Sequence, residues 1–178
     1  MKRKNVTPDM MRGYMADALL MLMAKKDYAN ITISEITQKA GVNRSTFYRN
    51  FISKDDIIKY YFNQIIYKLH SKGSSTPPLI EDYFLEMFTH YYKYKKELLL
   101  MYKAKITYII LEALNETFSA IRSDTTLENL YATYYHTGGV YNDFLLWFDG
   151  EMTQTPAEMA AITCSFYPTS FRPYLWTK

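Results

Sequence analysis

The chain has 178 residues, 48% of them hydrophobic, so it is long enough for a packed core and too apolar for a disordered protein. No apolar run approaches the roughly 18 residues that a membrane-spanning helix needs, and the single cysteine, Cys164, excludes an internal disulfide and a thiolate zinc site. The net charge of +3 is uneven: residues 1–55 carry ten basic and five acidic side chains, which fits either a polyanionic partner or ordinary solvated surface charge.

Apolar residues recur at helical spacing along most of the chain, and the first helix is predicted to begin after Thr7. Thr7 can cap this helix, and Pro8 suits its first turn because the N–H that proline lacks would be unpaired there. Its apolar stripe consists of Met11, Met15, Ala18, Leu19, Leu22 and Met23. No apolar segment of a signal peptide follows the basic start, so we expect a cytoplasmic protein.

The second helix has clear boundary signals. Thr32 and Glu35 have the spacing of a capping box, and Ile31 and Ile36 have that of a hydrophobic staple. Gly41 is the usual type of residue at a left-handed helix end, so we expect the helix to stop there.

Two further helix starts follow closely. Asn43 is expected to cap a third helix that runs through Phe51, and Ser53 to cap a fourth. Ile52 and Ile57 have the spacing of a second staple. The apolar face of the fourth helix is predicted to contain Ile57, Ile58, Tyr61, Phe62, Ile65, Ile66 and Leu69.

The remaining helices lie beyond a polar loop at residues 71–78. Three are expected at about 79–94, 97–102 and 106–121. Thr125 and Glu128 have capping-box spacing for a long helix that Gly150 can end, and Thr155 and Glu158 repeat that spacing for the last one. Pro168 and Pro173 exclude a regular helix in the tail. The sequence therefore predicts an all-α chain of about nine helices.

Residues 31–54 have the pattern of a helix-turn-helix, in which a short turn containing glycine joins two short helices. The positions expected to hold these helices against the first one are Ile36, Ala40, Val42, Phe47 and Phe51. The side chains expected to face outward on the second of them are Arg44, Ser45, Thr46, Tyr48, Arg49 and Asn50. None of these is acidic, so the helix fits the major groove of DNA. The alternative is a helical hairpin whose outer face is only solvated.

The details of this segment resemble the TetR (tetracycline-repressor-like) family of bacterial regulators. The matching residues are Thr32, Ala40-Gly41-Val42, Thr46-Phe47-Tyr48, Phe51 and Ser53-Lys54, and the resemblance covers about residues 8–60. It implies that Ser34, Asn43, Arg44, Ser45, Thr46, Tyr48 and Asn50 approach DNA, with Tyr48 and Lys54 holding phosphates. With Thr32 and Arg49, these residues form the predicted DNA-binding set.

Side-chain chemistry agrees with these roles. Arg44 can make a bidentate contact to guanine, which contributes about 1–3 kcal/mol of discrimination. Thr46 can meet a thymine methyl group or a phosphate, and Arg49 faces either solvent or phosphate. Residues 2–4, which are Lys-Arg-Lys, form either an arm that reaches DNA or a disordered basic tail.

The carboxy-terminal part is rich in tyrosine, phenylalanine and methionine. Most of these residues are expected in the core, but some can form a pocket for an apolar or aromatic effector, since many relatives release DNA on binding a small ligand. The residues assigned to this pocket are Tyr83, Met87, Tyr91, Tyr102 and Tyr134.

The last two helices resemble a short carboxy-terminal subtype of the same family, in which they form the dimer interface. The residues assigned to that interface are Gly138, Gly139, Phe144, Trp147 and Met159. Each glycine costs about 1 kcal/mol inside a helix. Close approach of two helices would offset that cost; the alternative is a simple kink.

No catalytic pattern is present in the sequence. His70, His90 and His136 have no partners at ligand spacing, and no phosphate loop or nucleophile motif occurs. We therefore expect no enzyme, no cofactor and no metal.

Together these observations predict a helix-turn-helix domain at residues 1–53 and a helical dimerisation and effector domain at 54–178, connected by the helix that starts at 54. We expect a homodimer that binds double-stranded palindromic operator DNA, acts as a repressor and is released by a small effector, with no membrane partner. The alternative is a helical protein-interaction module or co-regulator that keeps the fold without effector-controlled DNA binding.

Overall fold

The computed structural model describes residues 7–70, 79–121 and 126–167. These residues contain nine α-helices and no strand, which confirms the all-α prediction. The chain divides into two compact units, one up to Gln64 and the other from Ile65 onward. The division falls inside the fourth helix.

The first unit contains a bundle of short helices. They are α1 (Pro8–Met23), α2 (Ile33–Ala40), α3 (Arg44–Asn50) and the first part of α4 (Lys54–His70), with a single 3-10 turn at Tyr28–Asn30. The buried side chains of this unit include Met15, Leu19, Ile36, Phe47 and Ile57, all fully buried. Ala40 and Val42, both predicted to pack, are half-buried at the edge of this core.

Most helix starts in this unit follow the local signals in the sequence. The Thr7 hydroxyl accepts a hydrogen bond from the Met10 N–H at 3.3 Å. Thr32 and Glu35 form the predicted capping box, with the Thr32 N–H donating to the Glu35 carboxylate at 2.9 Å. Ser53 accepts from the Asp56 N–H at 3.2 Å and so caps α4 as predicted.

Two predicted details are wrong, and a third is confirmed only in part. Ile52 is 92% exposed, so it forms no staple with the buried Ile57. Asn43 occupies the cap position of α3, but its side chain makes no capping hydrogen bond. The cap of the long helix α8 is Thr126, which accepts from the Asn129 N–H at 3.4 Å, and Thr125 lies outside the described residues.

The second unit contains the longer helices. After the end of α4 they are α5 (Ile80–Tyr92), α6 (Lys95–Lys103), α7 (Tyr108–Ile121), α8 (Leu127–Asp149) and α9 (Pro156–Cys164). Thr155 and Glu158 form the predicted capping box of α9. No helix of the described residues is long and apolar enough to cross a membrane.

Aromatic rings fill the core of the second unit. Phe88 packs edge-on against Trp147 with ring centroids 5.4 Å apart, and Phe144 stacks on Phe148 at 5.8 Å. The Trp147 indole N–H donates to the Gln154 carbonyl at 3.1 Å, which satisfies its only polar group. This packing joins α5, α8 and the turn before α9.

Candidate nucleic-acid interface

The turn between α2 and α3 depends on Gly41. Its φ of +68° is left-handed, a conformation that side chains with a Cβ adopt at a cost. Nothing lies within 4 Å of the position that a Cβ would occupy, so the backbone conformation and not the space favours glycine here. The Val42 N–H then donates to the Thr37 carbonyl at 3.0 Å, which closes the end of α2 and lets α3 begin at Arg44.

Two phenylalanines anchor α3 in the first unit. Phe47 is fully buried and Phe51 is 6% exposed, with their ring centroids 6.1 Å apart. Phe51 also packs edge-on against Tyr60 of α4 at 5.8 Å. Because these rings fix one side of the helix in the core, the opposite side faces outward.

That outward side carries no acidic residue. The exposed side chains of α3 are Arg44, Ser45, Tyr48 and Arg49. The Arg44 guanidinium donates to the Tyr48 hydroxyl at 3.3 Å and lies 5.8 Å from the centre of its ring. This contact holds the two side chains together on the solvent side of the helix.

Two residues of α3 that were expected to face outward do not. Thr46 is only 6% exposed, and Asn50 is half-buried. The Asn50 amide donates to the Thr46 carbonyl at 2.7 Å, and its oxygen accepts from Arg12 of α1 at 3.3 Å. The Thr46 hydroxyl accepts from Arg49 at 3.2 Å. The bond from Arg12 ties α3 to α1 and the other two lie within α3, so the two side chains are occupied within the unit.

Predicted contacts outside α3 have different surroundings. Ser34 and Asn43 are exposed. The Thr32 hydroxyl is engaged in the capping box with Glu35. Glu35 also accepts a hydrogen bond from Lys26 at 2.8 Å, and this bond together with those from Thr32 lowers the pKa of Glu35 to about 2. The basic residues 2–4 lie outside the described residues.

Lys54, predicted to hold a phosphate, is engaged with the protein backbone. Its ammonium donates to the carbonyl oxygens of Tyr28, Ala29 and Ile31, the last two at 3.1 and 3.2 Å. Burial lowers the pKa of Lys54. A phosphate contact would need a donor to leave one of these carbonyls.

Arg12 and Tyr60, neither of which was predicted to belong to this region, also contact its residues. Tyr60 donates to the Asp9 carboxylate at 2.9 Å, and the Arg12 guanidinium lies 5.9 Å from the centre of the Tyr60 ring. No local signal marks these residues, because they come together only when α1 packs beside α3 and α4.

The five residues predicted for an effector pocket have different surroundings in the structure. Tyr83, Met87 and Tyr91 are buried in the core of the second unit. The Tyr102 hydroxyl donates to Asp149 at 2.6 Å. Tyr134 alone of the five borders a groove of about 980 Å³ on α8, together with Tyr131, Tyr135, Gly138, Gly139, Phe166 and other residues.

Three of the residues predicted for the dimer interface are buried in the chain's own core. Phe144 and Trp147 are each 1% exposed, and Met159 is 7% exposed, so their side chains are not available to a partner. Phe144 and Trp147 pack against Phe88 of α5 and against each other. Gly138 and Gly139 do lie at the surface groove.

A histidine beside this groove is held in its neutral form. His136 lies between the hydroxyls of Tyr83, 3.2 Å from Nε2, and Tyr167, 2.9 Å from Nδ1. Burial lowers the pKa of His136 to about 4. The described residues contain no group of three histidine, cysteine or acidic side chains that could hold a metal ion.

Comparisons with known proteins agree with the geometry of the first unit. The sequence model of the tetR family of bacterial regulatory proteins matches residues 16–61. Over 39 residues the chain is 44% identical to YxbF of Bacillus subtilis, described as an uncharacterized HTH-type transcriptional regulator. That match covers 22% of this chain and only 10% of the relative's length.

Two solved structures resemble the chain over most of its length. A TetR transcriptional regulator from Streptococcus agalactiae matches with a TM-score of 0.61, and the dihydroxyacetone kinase operon activator DhaS with 0.58. Each match has 15% sequence identity and covers 89% of this chain and 94% of the other. At this identity the likeness shows a shared fold.

Proposed function

We propose that this chain, which belongs to the tetR family of bacterial regulatory proteins, is a homodimeric repressor of transcription that binds a palindromic operator in the cytoplasm. The observation that carries the proposal is the exposed side of α3, which presents two arginines, a serine and a tyrosine and no acid. DNA phosphates would repel an acid there, and the helix is fixed from behind by buried Phe47. The α3 helix of each protomer would enter the major groove of one half-site, with half-sites about one helical turn apart.

The exposed residues of this face have distinct proposed roles. Arg44, at the amino end of α3, reads guanine, and Ser45 contacts a neighbouring base or phosphate. Tyr48 and Arg49 contact the sugar-phosphate backbone of the DNA and fix the register of the protein on the duplex. Ser34 on α2 and Asn43 in the turn complete the proposed contacts. Thr32, Thr46 and Asn50 support this surface, since their side chains are engaged within the unit.

A second copy of the chain is proposed to dock on α8. Leu127, Tyr131 and Tyr135 are 68%, 71% and 84% exposed, and Gly139 continues the same spacing of four residues along the helix. Contiguous apolar surface of this kind marks interaction sites. Tyr135→Glu should convert the dimer to a monomer in sedimentation analysis, while Tyr14→Glu on α1, at a position 44% exposed, should not.

Release by a small apolar or aromatic effector completes the proposal and rests on the family resemblance. Differential affinity of the effector for the DNA-free form would oppose DNA binding. The direction of regulation needs its own assay, because the structural neighbour DhaS is named as an operon activator. Transcription in vitro from the promoter of the adjacent gene should fall on addition of the protein; a rise would establish activation instead.

The test of DNA binding uses the DNA flanking the chain's own gene. The wild-type protein should prefer one palindrome over random duplex by about 10³-fold or more. Arg44→Ala should weaken binding to that palindrome by roughly 5- to 150-fold, the effect of removing a bidentate base contact. The control is Lys25→Ala, an exposed charge outside α3. Equal affinity for every duplex would exclude the regulator and favour a protein-interaction module.

A further inference from the structure

Lys54 forms a saturated set of hydrogen bonds at the first position of α4. A lysine ammonium has three N–H donors, and those of Lys54 meet the carbonyl oxygens of Tyr28, Ala29 and Ile31. These carbonyls lie at and just after the 3-10 turn at Tyr28–Asn30. The Tyr28 carbonyl also accepts from the Ile31 N–H at 3.1 Å, whereas the carbonyls at the end of such a turn lack helical partners and favour a cation.

A second contact strengthens the attachment between the same two segments. The Lys54 ammonium lies 4.4 Å from the centre of the Tyr28 ring. The Tyr28 hydroxyl donates to the carboxylate of Asp55, the next residue of α4, at 2.5 Å. The start of α4 therefore binds the α1–α2 connection in two ways: Lys54 binds its backbone carbonyls, and Asp55 binds the side chain of Tyr28.

This attachment has a consequence for the DNA-binding surface. Ile31 directly precedes Thr32, the cap of α2, and is itself buried at 3% exposure. The carbonyl of Ile31 is one of the three that Lys54 holds. The position of α2, and through Gly41 that of α3, therefore depends on the place where this connection is fixed.

We infer that Lys54 is a positioning residue, which fixes the α1–α2 connection to the start of α4 and makes no contact with a DNA phosphate. The family resemblance implied the opposite role. Moving the ammonium to a phosphate would leave a partly buried carbonyl without a donor, which costs free energy. The part of the inference that concerns DNA rests on the proposed function; the part that concerns the fold does not.

Two substitutions separate the roles. Lys54→Met keeps the apolar stem and removes the donors, and Lys54→Arg keeps the charge in a planar fork that does not match three converging carbonyls. Both should raise the unfolding equilibrium constant, Lys54→Met by about 10- to 100-fold, as expected for hydrogen bonds to a charged group. Lys25→Met is the matched control at an exposed lysine and should leave the constant unchanged.

The salt dependence of DNA binding then measures how many phosphates the protein neutralises. The plot of log K against log salt concentration has a negative slope, and its magnitude falls by about 0.9 for each phosphate that a variant no longer neutralises. Lys54→Met should retain the wild-type slope. A slope that falls by about 0.9 in Lys54→Met and returns in Lys54→Arg, with unchanged stability in both, would overturn the inference.

If a Lys54 variant does not fold, the wild-type protein provides the test. Its lysines are acylated, and the rate of reaction at each lysine is measured by mass spectrometry. Lys54 should react several-fold more slowly than exposed Lys25 and Lys39 without DNA, and addition of operator DNA should not change its rate. Reaction as fast as Lys25 in the free protein, followed by protection with DNA, would contradict the assignment. If the wild type prefers no duplex, the proposed function fails, while the rate in the free protein still decides the place of Lys54.

Discussion

Acidification should destabilise the protein through His136. This histidine is 4% exposed, and its pKa of about 4 lies below the value of about 6.5 for an exposed histidine. Between these two values the unfolded chain binds a proton that the folded chain does not. The free energy of unfolding therefore decreases as the pH falls through this window, and it is unaffected by this group well above pH 6.5.

The size of the effect follows from the two pKa values. Linkage gives a loss of about 2 kcal/mol between pH 7 and pH 5, and about 3 kcal/mol when the pH reaches 4. Urea unfolding at a series of pH values, followed by circular dichroism, measures this loss.

A substitution isolates the contribution of His136 from that of the other titrating groups. His136→Gln keeps a donor and an acceptor near the hydroxyls of Tyr83 and Tyr167 but does not titrate. From pH 7 to pH 5 the free energy of unfolding of the wild type should fall by about 2 kcal/mol more than that of the variant. Parallel pH curves for the two proteins, or an NMR titration of the His136 ring with a midpoint near 6.5, would refute the reasoning.

Three further predictions concern local structure. Gly41→Ala should lower the free energy of unfolding by about 1–2 kcal/mol, and Gly41→Asn by less, because asparagine tolerates the left-handed conformation better; denaturant titration of both variants decides this. Phe47→Ala should cost about 3–5 kcal/mol in the same assay, whereas Ile52→Ala, at a 92% exposed position, should cost less than about 0.5 kcal/mol. Thr155→Ala should cost about 1 kcal/mol by removing the α9 cap, and thermal unfolding that matches the wild type would contradict that role.

Features that depend on a few neighbouring residues could be predicted from the sequence. The capping boxes at Thr32 and Thr155 and the left-handed end at Gly41 are encoded within four residues, and the structure contains all three. The local sequence did not decide which of the adjacent threonines, 125 or 126, caps α8, because either hydroxyl can cap a helix that starts nearby. The overall all-α architecture follows from the sum of such local signals.

Features that depend on distant packing could not be predicted in this way. Helical spacing placed Asn50 on the outer side of α3, but the residue is half-buried and its amide oxygen accepts a hydrogen bond from Arg12 of α1, 38 residues earlier in the chain. Lys54 has a phosphate-binding pattern, yet the carbonyls that occupy it lie more than twenty residues earlier. The pattern gives the residue type, and only the fold gives its partners.

The same limit applies to the second unit. An aromatic-rich sequence does not show which rings form the core and which line a groove. Phe144 and Trp147 belong to the core, while Tyr131 and Tyr135 on the same helix are exposed. Because α8 carries apolar residues around most of its circumference, its sequence periodicity does not distinguish the two sides.

The continuous course of α4 limits how the chain can be divided for experiments. The boundary between the compact units falls after Gln64, eleven residues into the helix. A fragment that ends at Ser53 would lack Ile57 and Ile58, which are 0% and 1% exposed in the intact chain, and would present a water-filled gap in their place. An isolated DNA-binding unit should therefore be produced with α4 extended to at least Gln64. A hybrid regulator made from two proteins should join their sequences within this helix, in helical register and without a flexible linker.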